Sequence, residues 1–349
     1  MKDFHTLRVV SVDRLTPNSV ALTFEVPAHL SETFRFDAGQ YITIKKELGG
    51  VEVRRAYSIS SSPASGKLTV GIKKVANGTF SVYANESIKE GDVLEVMPPE
   101  GRFVFEGGKG PQHLAAFAAG SGITPIISIA ESVLRDDDAS SFVLVFGNQT
   151  VEESMYRQEL LALQEVYGAR FSIIWLFSRS AEENALFGRI EPSTVNLVVK
   201  NKFKDIAFDR FFLCGPEAMI DAVSETLKKN GVADDRIRFE LFTSSSDEDA
   251  MAPTLDGQTA VEVVVDDAEF SLTMDQKTLV LDAILKEGID APYSCQGGVC
   301  SSCIARVVEG KAEMVKNQIL TDGEVAEGLI LTCQAHALTP KLKIDYDDV

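Results

Sequence analysis

Four cysteines have the type and spacing for one-electron chemistry. Cys295, Cys300 and Cys303 lie in PYSCQGGVCSSCIARV as C-x4-C-x2-C, and Cys333 follows in LTCQA after 29 intervening residues. That spacing suits a [2Fe–2S] cluster held by four thiolates. A zinc ribbon more typically shows two cysteine pairs of short, similar spacing. Gly297 and Gly298, with Ser294, Ser301 and Ser302, let the loop wrap tightly and offer backbone N–H groups to the sulfurs. Such a cluster changes by one electron at about −400 mV and breaks no bonds itself, so another part of the chain must load it.

Three further stretches carry candidates. In Arg54-Arg55-Ala56-Tyr57-Ser58 an aromatic ring, a hydroxyl and a guanidinium suit a flavin. Tyr57 can pack on its rings, Ser58 can hydrogen-bond near N5, and Arg55 can grip the pyrophosphate bidentately. Asn77-Gly78-Thr79-Phe80-Ser81 opens a short helix, and Gly78 with Ser81 at its N-terminus forms a candidate phosphate site. Each stretch read alone also fits an ordinary edge strand or a plain helix cap. GSGITP, with Gly120, Gly122 and Thr124, falls between a buried strand and a helix, where open α/β sheets bind dinucleotides. CGPE, with Cys214, Gly215 and Pro216, ends a later strand. IIWLF runs into Ser178-Arg179-Ser180; a hydroxyl and a guanidinium there favour the 2′-phosphate of NADPH, although Glu182 and Glu183 lie close by.

These motifs need elements to hold them. From residue 1 to about 108, LRVVSVDRL, SVALTFEV, GQYITIKK, RAYSISSS, KLTVGIKKV and DVLEVMPP alternate with turns, the pattern of a small antiparallel barrel. Residues 109–243 alternate apolar strands (HLAAFAAG, SFVLVFGN, FSIIWLFS, DRFFLCGP) with helices, which predicts a doubly wound parallel sheet. SSSDEDAMAPTLDG, 244–257, has the composition of an exposed linker. Residues 258–349 hold two strands, a helix around LVLDAILKEG, the cysteine loop and short closing strands.

In this order, R-x-Y-S, G-x-x-S, PPEGRF, GSGITP and CGPE resemble the ferredoxin–NADP reductase family over residues 1–243, and the last block resembles plant-type ferredoxin over its full length. The resemblance implies a multi-domain protein: an antiparallel β-barrel for FAD, an α/β doubly wound parallel sheet for NADPH, and an α+β β-grasp ferredoxin domain. It implies catalytic roles for Tyr57, Ser58 and Cys214, the last beside the nicotinamide; a small buried apolar cysteine is the alternative. It also brings Phe242, in Glu240-Leu241-Phe242-Thr243, near the flavin or the domain seam, with core packing an equal reading. FAD rather than FMN rests on the resemblance alone. One departure is FGNQT, where the family pattern leads one to expect Arg at Gln149.

NADPH delivers two electrons as hydride and the cluster accepts one; a flavin handles both. The implied order is NADPH, flavin, cluster, external acceptor. A flavin barrel, nucleotide domain and C-terminal ferredoxin, in this order, resemble the reductase components of bacterial multicomponent oxygenases, so an oxygenase component is the expected partner. A reductase for another hydroxylase or a desaturase stays open, as does a carrier or sensor that uses the cluster alone.

Composition narrows the remainder. The net charge of −18 disfavours nucleic acid. From Gly257 to Val349 there are 16 acids and 7 bases, net −9, which is either a solvated surface or a docking face for a basic partner. No apolar run reaches the roughly 18 residues of a membrane helix. MKDFHTLRVV carries charges where a signal peptide has its apolar core, and five cysteines speak against structural disulfides, so a cytoplasmic protein is expected.

Overall fold

Among the described residues, twelve strands and five helices build the N-terminal two thirds of the chain. The computed structural model describes residues 4–108, 110–242 and 257–349. The expected linker, 244–257, therefore lies outside the described residues apart from Gly257, as does Thr243. The described chain forms two units, one of residues 4–53 with 57–242 and one centred on the C-terminal segment.

The barrel comprises β1 (His5–Thr16), β2 (Ser19–Glu25), β3 (Tyr41–Leu48), β4 (Val51–Ser58), β5 (Leu68–Lys73), α1 (Thr79–Glu86) and β6 (Val93–Val96). Its strand order is β4-β3-β6-β1-β2-β5. A bridge between Ile59 and Val70 joins the end of β4 to β5 and removes the open edge. Residues such as Leu7, Val9, Leu22, Ile42, Ile44, Val70 and Ile72 fill it; β1 alternates buried Leu7 and Val9 with exposed Arg8, whereas β2, β3 and β5 are buried over several consecutive residues.

The next elements are β7 (His113–Ala119), α2 (Ile123–Asp136), β8 (Ser141–Asn148), α3 (Arg157–Tyr167), β9 (Phe171–Phe177), β10 (Leu186–Phe187), α4 (Pro192–Asn196), β11 (Arg210–Gly215), α5 (Glu217–Lys229) and β12 (Ile237–Leu241). The six strands pair in parallel in the order β10-β9-β8-β7-β11-β12. Strands buried on both faces read as continuous apolar runs, as β7 and β8 do. The connection direction reverses at β7, flanked by β8 and β11. The crevice beyond its carboxyl end is where such sheets accept ligands.

The C-terminal unit contains β13 (Gln258–Val265), β14 (Ala268–Asp275), α6 (Val280–Lys286), β15 (Ile304–Glu309), β16 (Ala312–Met314), α7 (Asp322–Ala326), β17 (Leu329–Leu331), β18 (Ala335–Ala337) and β19 (Lys341–Asp345). A mixed sheet of order β14-β13-β19-β15-β17 covers a core that includes Val261, Val263, Leu281, Ile284, Leu331, Leu342 and Ile344. A mixed sheet with α6 packed into its core is the α+β arrangement expected of this segment.

Candidate functional site

The parallel sheet places two sequence motifs side by side at its switch point. The 3-10 turn Gly120–Gly122 follows β7, and Cys214-Gly215-Pro216 ends its neighbour β11. Gly122 packs so closely that a Cβ there would overlap the Cys214 carbonyl. Only glycine permits that approach. Gly120 adopts a φ of 56°, which turns the chain into α2. Pro216 starts α5 and its carbonyl accepts from the Met219 and Ile220 amides. Thr124 is almost fully buried and its hydroxyl donates to the Ser121 carbonyl, so the structure spends that group on the turn.

At the same edge the barrel supplies Ser58. Its Oγ donates to Glu240 Oε2 across 3.1 Å, joining the end of β4 to β12. In the parallel register Glu240 is opposite Cys214. Burial pushes the Glu240 carboxyl up to about 8, against the opposing effect of the Ser58 hydrogen bond. Burial, and then the charge of Glu240, hold the Cys214 thiol well above its usual range, so it stays neutral. A hydroxyl, a carboxyl that keeps its proton near neutrality and an uncharged thiol thus meet in a dry crevice. Desolvation and a specific charge neighbour are the perturbations that accompany reactive sites.

Sequence reading named Ser58, Cys214 and Phe242 but passed over Glu240. The signal lay in RFELF: β12 places the acid inside, at 8% exposure, and Phe239 outside, at 44%. That inversion of the apolar pattern marks a position kept for something other than packing. Phe242 itself is half-buried against the core of the parallel sheet.

Tyr57 is half-buried with its ring 5.7 Å from that of Phe80, the second residue of α1. Gly78 caps α1, and the Ser81 hydroxyl accepts from the Val75 amide at 3.2 Å, closing the turn before the helix. Arg55 is half-buried, with one guanidinium N–H on the Arg54 carbonyl. Ser178 follows β9 with its amide on the Asn148 carbonyl, and Arg179 is exposed with its amide on the Gln149 carbonyl. Next to them, Phe187 of β10 stands opposite Phe177 and is 71% exposed, an aromatic that sequence reading missed.

In the C-terminal unit the four thiols interact in pairs, Cys295 with Cys300 and Cys333, and Cys333 with Cys303. Hydrogen bonds from Cys300 and Cys333 hold Cys295 well below the usual thiol range, while the bond to Cys295 pushes Cys300 above it and bonds to Cys295 and Cys303 do the same to Cys333. Among the described residues no three His, Cys, Asp or Glu side chains close on one ion. A two-iron cluster asks instead for two pairs of thiolates, and the Gly297 amide donates to Cys295 Sγ at 3.3 Å as such a cluster requires. The donor set fits the cluster. Cys303 and Cys333 are also fixed by the sheet: the Thr332 hydroxyl and amide both donate to the Cys303 carbonyl, and the Tyr346 hydroxyl donates to Thr332 Oγ1.

Comparison with known proteins bears on the same three regions. Residues 6–105 match the oxidoreductase FAD-binding domain, 117–225 the oxidoreductase NAD-binding domain, and 263–338 the 2Fe-2S iron-sulfur cluster binding domain. The chain is 38% identical to one of the subunits of the 1,2-phenylacetyl-CoA epoxidase of Escherichia coli (strain K12), over 99% of both chains. The chain belongs to the ferredoxin–NADP reductase-type flavoproteins that carry a C-terminal [2Fe–2S] domain. Within that family it is also 33% identical to the ferredoxin reductase component of 3-ketosteroid-9-alpha-monooxygenase of Rhodococcus rhodochrous, over 97% of this chain and 96% of that one. The solved phthalate dioxygenase reductase shares the fold with a TM-score of 0.63 at 21% identity, covering 98% of each chain. As a reductase of this family the protein is an oxidoreductase with FAD-binding, NAD-binding and [2Fe–2S] domains. No helix among the described residues is long and apolar enough to cross a membrane.

Proposed function

We propose that this protein is a cytoplasmic reductase that draws electrons from NADPH and passes them singly to the oxygenase component of a phenylacetyl-CoA epoxidase. The observation that carries the reading is the full-length match to the Escherichia coli epoxidase component, with three cofactor modules in one order. The modules are taken as 1–108, 109–243 and 258–349, joined by 244–257. FAD, when bound, would convert a two-electron donor into a one-electron source.

The chain's own residues do the rest. Arg55, Gly78 and Ser81 would hold the flavin pyrophosphate, and Tyr57 would cover its rings. Gly120, Gly122 and Thr124, with Gly215 and Pro216, shape the nucleotide crevice. Ser178 and Arg179 would take the 2′-phosphate, with Phe187 under the adenine. Cys214 presents an uncharged sulfur to the nicotinamide, Ser58 orients the Glu240 carboxyl, and Glu240 keeps a proton at hand while water is excluded. Cys295, Cys300, Cys303 and Cys333 would ligate the cluster.

The deciding experiment is reconstitution with the candidate oxygenase subunits. NADPH oxidation should yield epoxidised phenylacetyl-CoA at close to one product per NADPH. NADPH consumption that reduces cytochrome c yet yields no epoxide with those subunits would redirect the reading to another oxygenase. The 33% match to the ketosteroid monooxygenase component makes a steroid hydroxylase the next to try.

A further inference from the structure

Four consecutive barrel residues after Tyr57 carry three separate ties to the nucleotide sheet. Ser58 Oγ donates to Glu240 of β12. Ser60 Oγ lies 2.8 Å from the hydroxyl of Tyr156, just ahead of α3, and Ser128 of α2 donates to the Ser61 carbonyl at 2.7 Å. The Ser60 hydroxyl also donates to the Thr69 carbonyl, which uses its only proton. Tyr156 must therefore be the donor to Ser60, and burial holds its phenol protonated.

Tyr156 has unusual backbone for a bulky residue. Its φ is +58°, a conformation that persists only where the surroundings enforce it and that collects at functional sites. Its ring presses onto β5 at Gly71, where a Cβ would stand 2.7 Å from the tyrosine oxygen. Three residues earlier, Glu153 accepts from Asn18 Nδ2 at 3.0 Å and faces Lys73 Nζ at 3.8 Å. The turn before α3 is thus clamped onto the barrel beside the segment that carries Ser58.

We propose that Tyr156 is a positioning residue for hydride transfer: through Ser60 it sets the placement of the Tyr57–Ser58 edge against the nicotinamide crevice at Cys214. This rests on the reading of those residues given above. Tyr156 touches neither Ser58 nor Cys214 in the bonds described; it acts through Ser60 and the two-residue step back to Ser58.

The test uses the full chain loaded with FAD and cluster, as wild type, Y156F, S60A and the double variant. NADP+ titration reads the flavin–nicotinamide charge-transfer absorbance, and rapid mixing with NADPH and 4-deuterated NADPH reads flavin reduction and its isotope effect. Y156F should keep flavin content and NADP+ affinity, lose the charge-transfer band and reduce flavin about 10- to 100-fold more slowly. S60A, which leaves the tyrosine ring in place, should do the same, and the double variant should be no worse than either. S60A also reads the bond if Y156F does not fold. A Y156F protein with an unchanged band, rate and isotope effect but a lower melting temperature would reduce Tyr156 to packing and overturn the proposal. A wild type that binds flavin but is not reduced by NADPH or NADH would overturn the underlying site reading, and this assignment with it.

Discussion

The Ser58 hydroxyl of the barrel donates to the Glu240 carboxyl of the last parallel strand at 3.1 Å, and both side chains are buried. In the fold Glu240 gives up its proton only at about pH 8, whereas its ordinary value is 4.5. The folded state therefore binds more protons than the unfolded one across that window. Its advantage is complete below about pH 4.5 and drains away as pH rises toward 8, by up to about 1.4 kcal/mol per unit. E240Q should flatten the decline and melt higher than wild type above neutrality. Parallel melting curves for the two proteins between pH 5 and 9 would contradict this.

Gly122→Ala probes the crevice from the other side. The added methyl group would overlap the Cys214 carbonyl, which is backbone and cannot swing away. A loss of about 1–3 kcal/mol of stability is expected from overpacking, together with weaker NADP+ binding. Calorimetric titration of NADP+ against the folded variant checks it; unchanged affinity would show that the turn relaxes without disturbing the nucleotide.

Arg179 tests the choice of nicotinamide. R179A should raise the KM for NADPH about 10- to 100-fold, the worth of one charge-assisted contact, and leave that for NADH nearly unchanged. Steady-state cytochrome c reduction with each donor measures both; equal changes would assign Arg179 to the solvated surface.

Thr332 secures one half of the cluster seat. T332V removes the hydroxyl that donates to the Cys303 carbonyl and leaves the Tyr346 hydroxyl without its acceptor. About 1–3 kcal/mol should be lost locally, visible as faster bleaching of the cluster absorbance in chelator with flavin content intact. A wild-type bleaching rate would mean that the strand pairing of β15 with β17 suffices.

Much of this was legible in the chain. Cysteine spacing reports a ligand set directly, and the apolar runs of β7, β8 and β11 could belong to little except a buried parallel sheet. The misses share one physical cause. Glu240, Tyr156 and Phe187 acquire meaning from neighbours distant in sequence, and local pattern names none of those partners, even where, as in RFELF, it marks the position. Thr124 and Ser81 carry a pairing of the opposite, local kind that the sequence did not single out: each hydroxyl makes a short-range bond to its own turn. Serine and threonine compete for backbone in this way wherever a helix begins.

The tie between Ser58 and Glu240 spans 182 residues, which has a consequence in time. Ribosomes add about 5–20 residues per second, so the barrel's reactive edge emerges roughly 10–40 s before the strand that completes it. During that interval β4 can be made, paired and closed by Ile59 and Val70, yet Ser58 has no carboxyl to meet. A nascent chain halted before β12 is accordingly a finished barrel with an unfinished crevice, and the last strand of the sheet to be translated is the one that arms it.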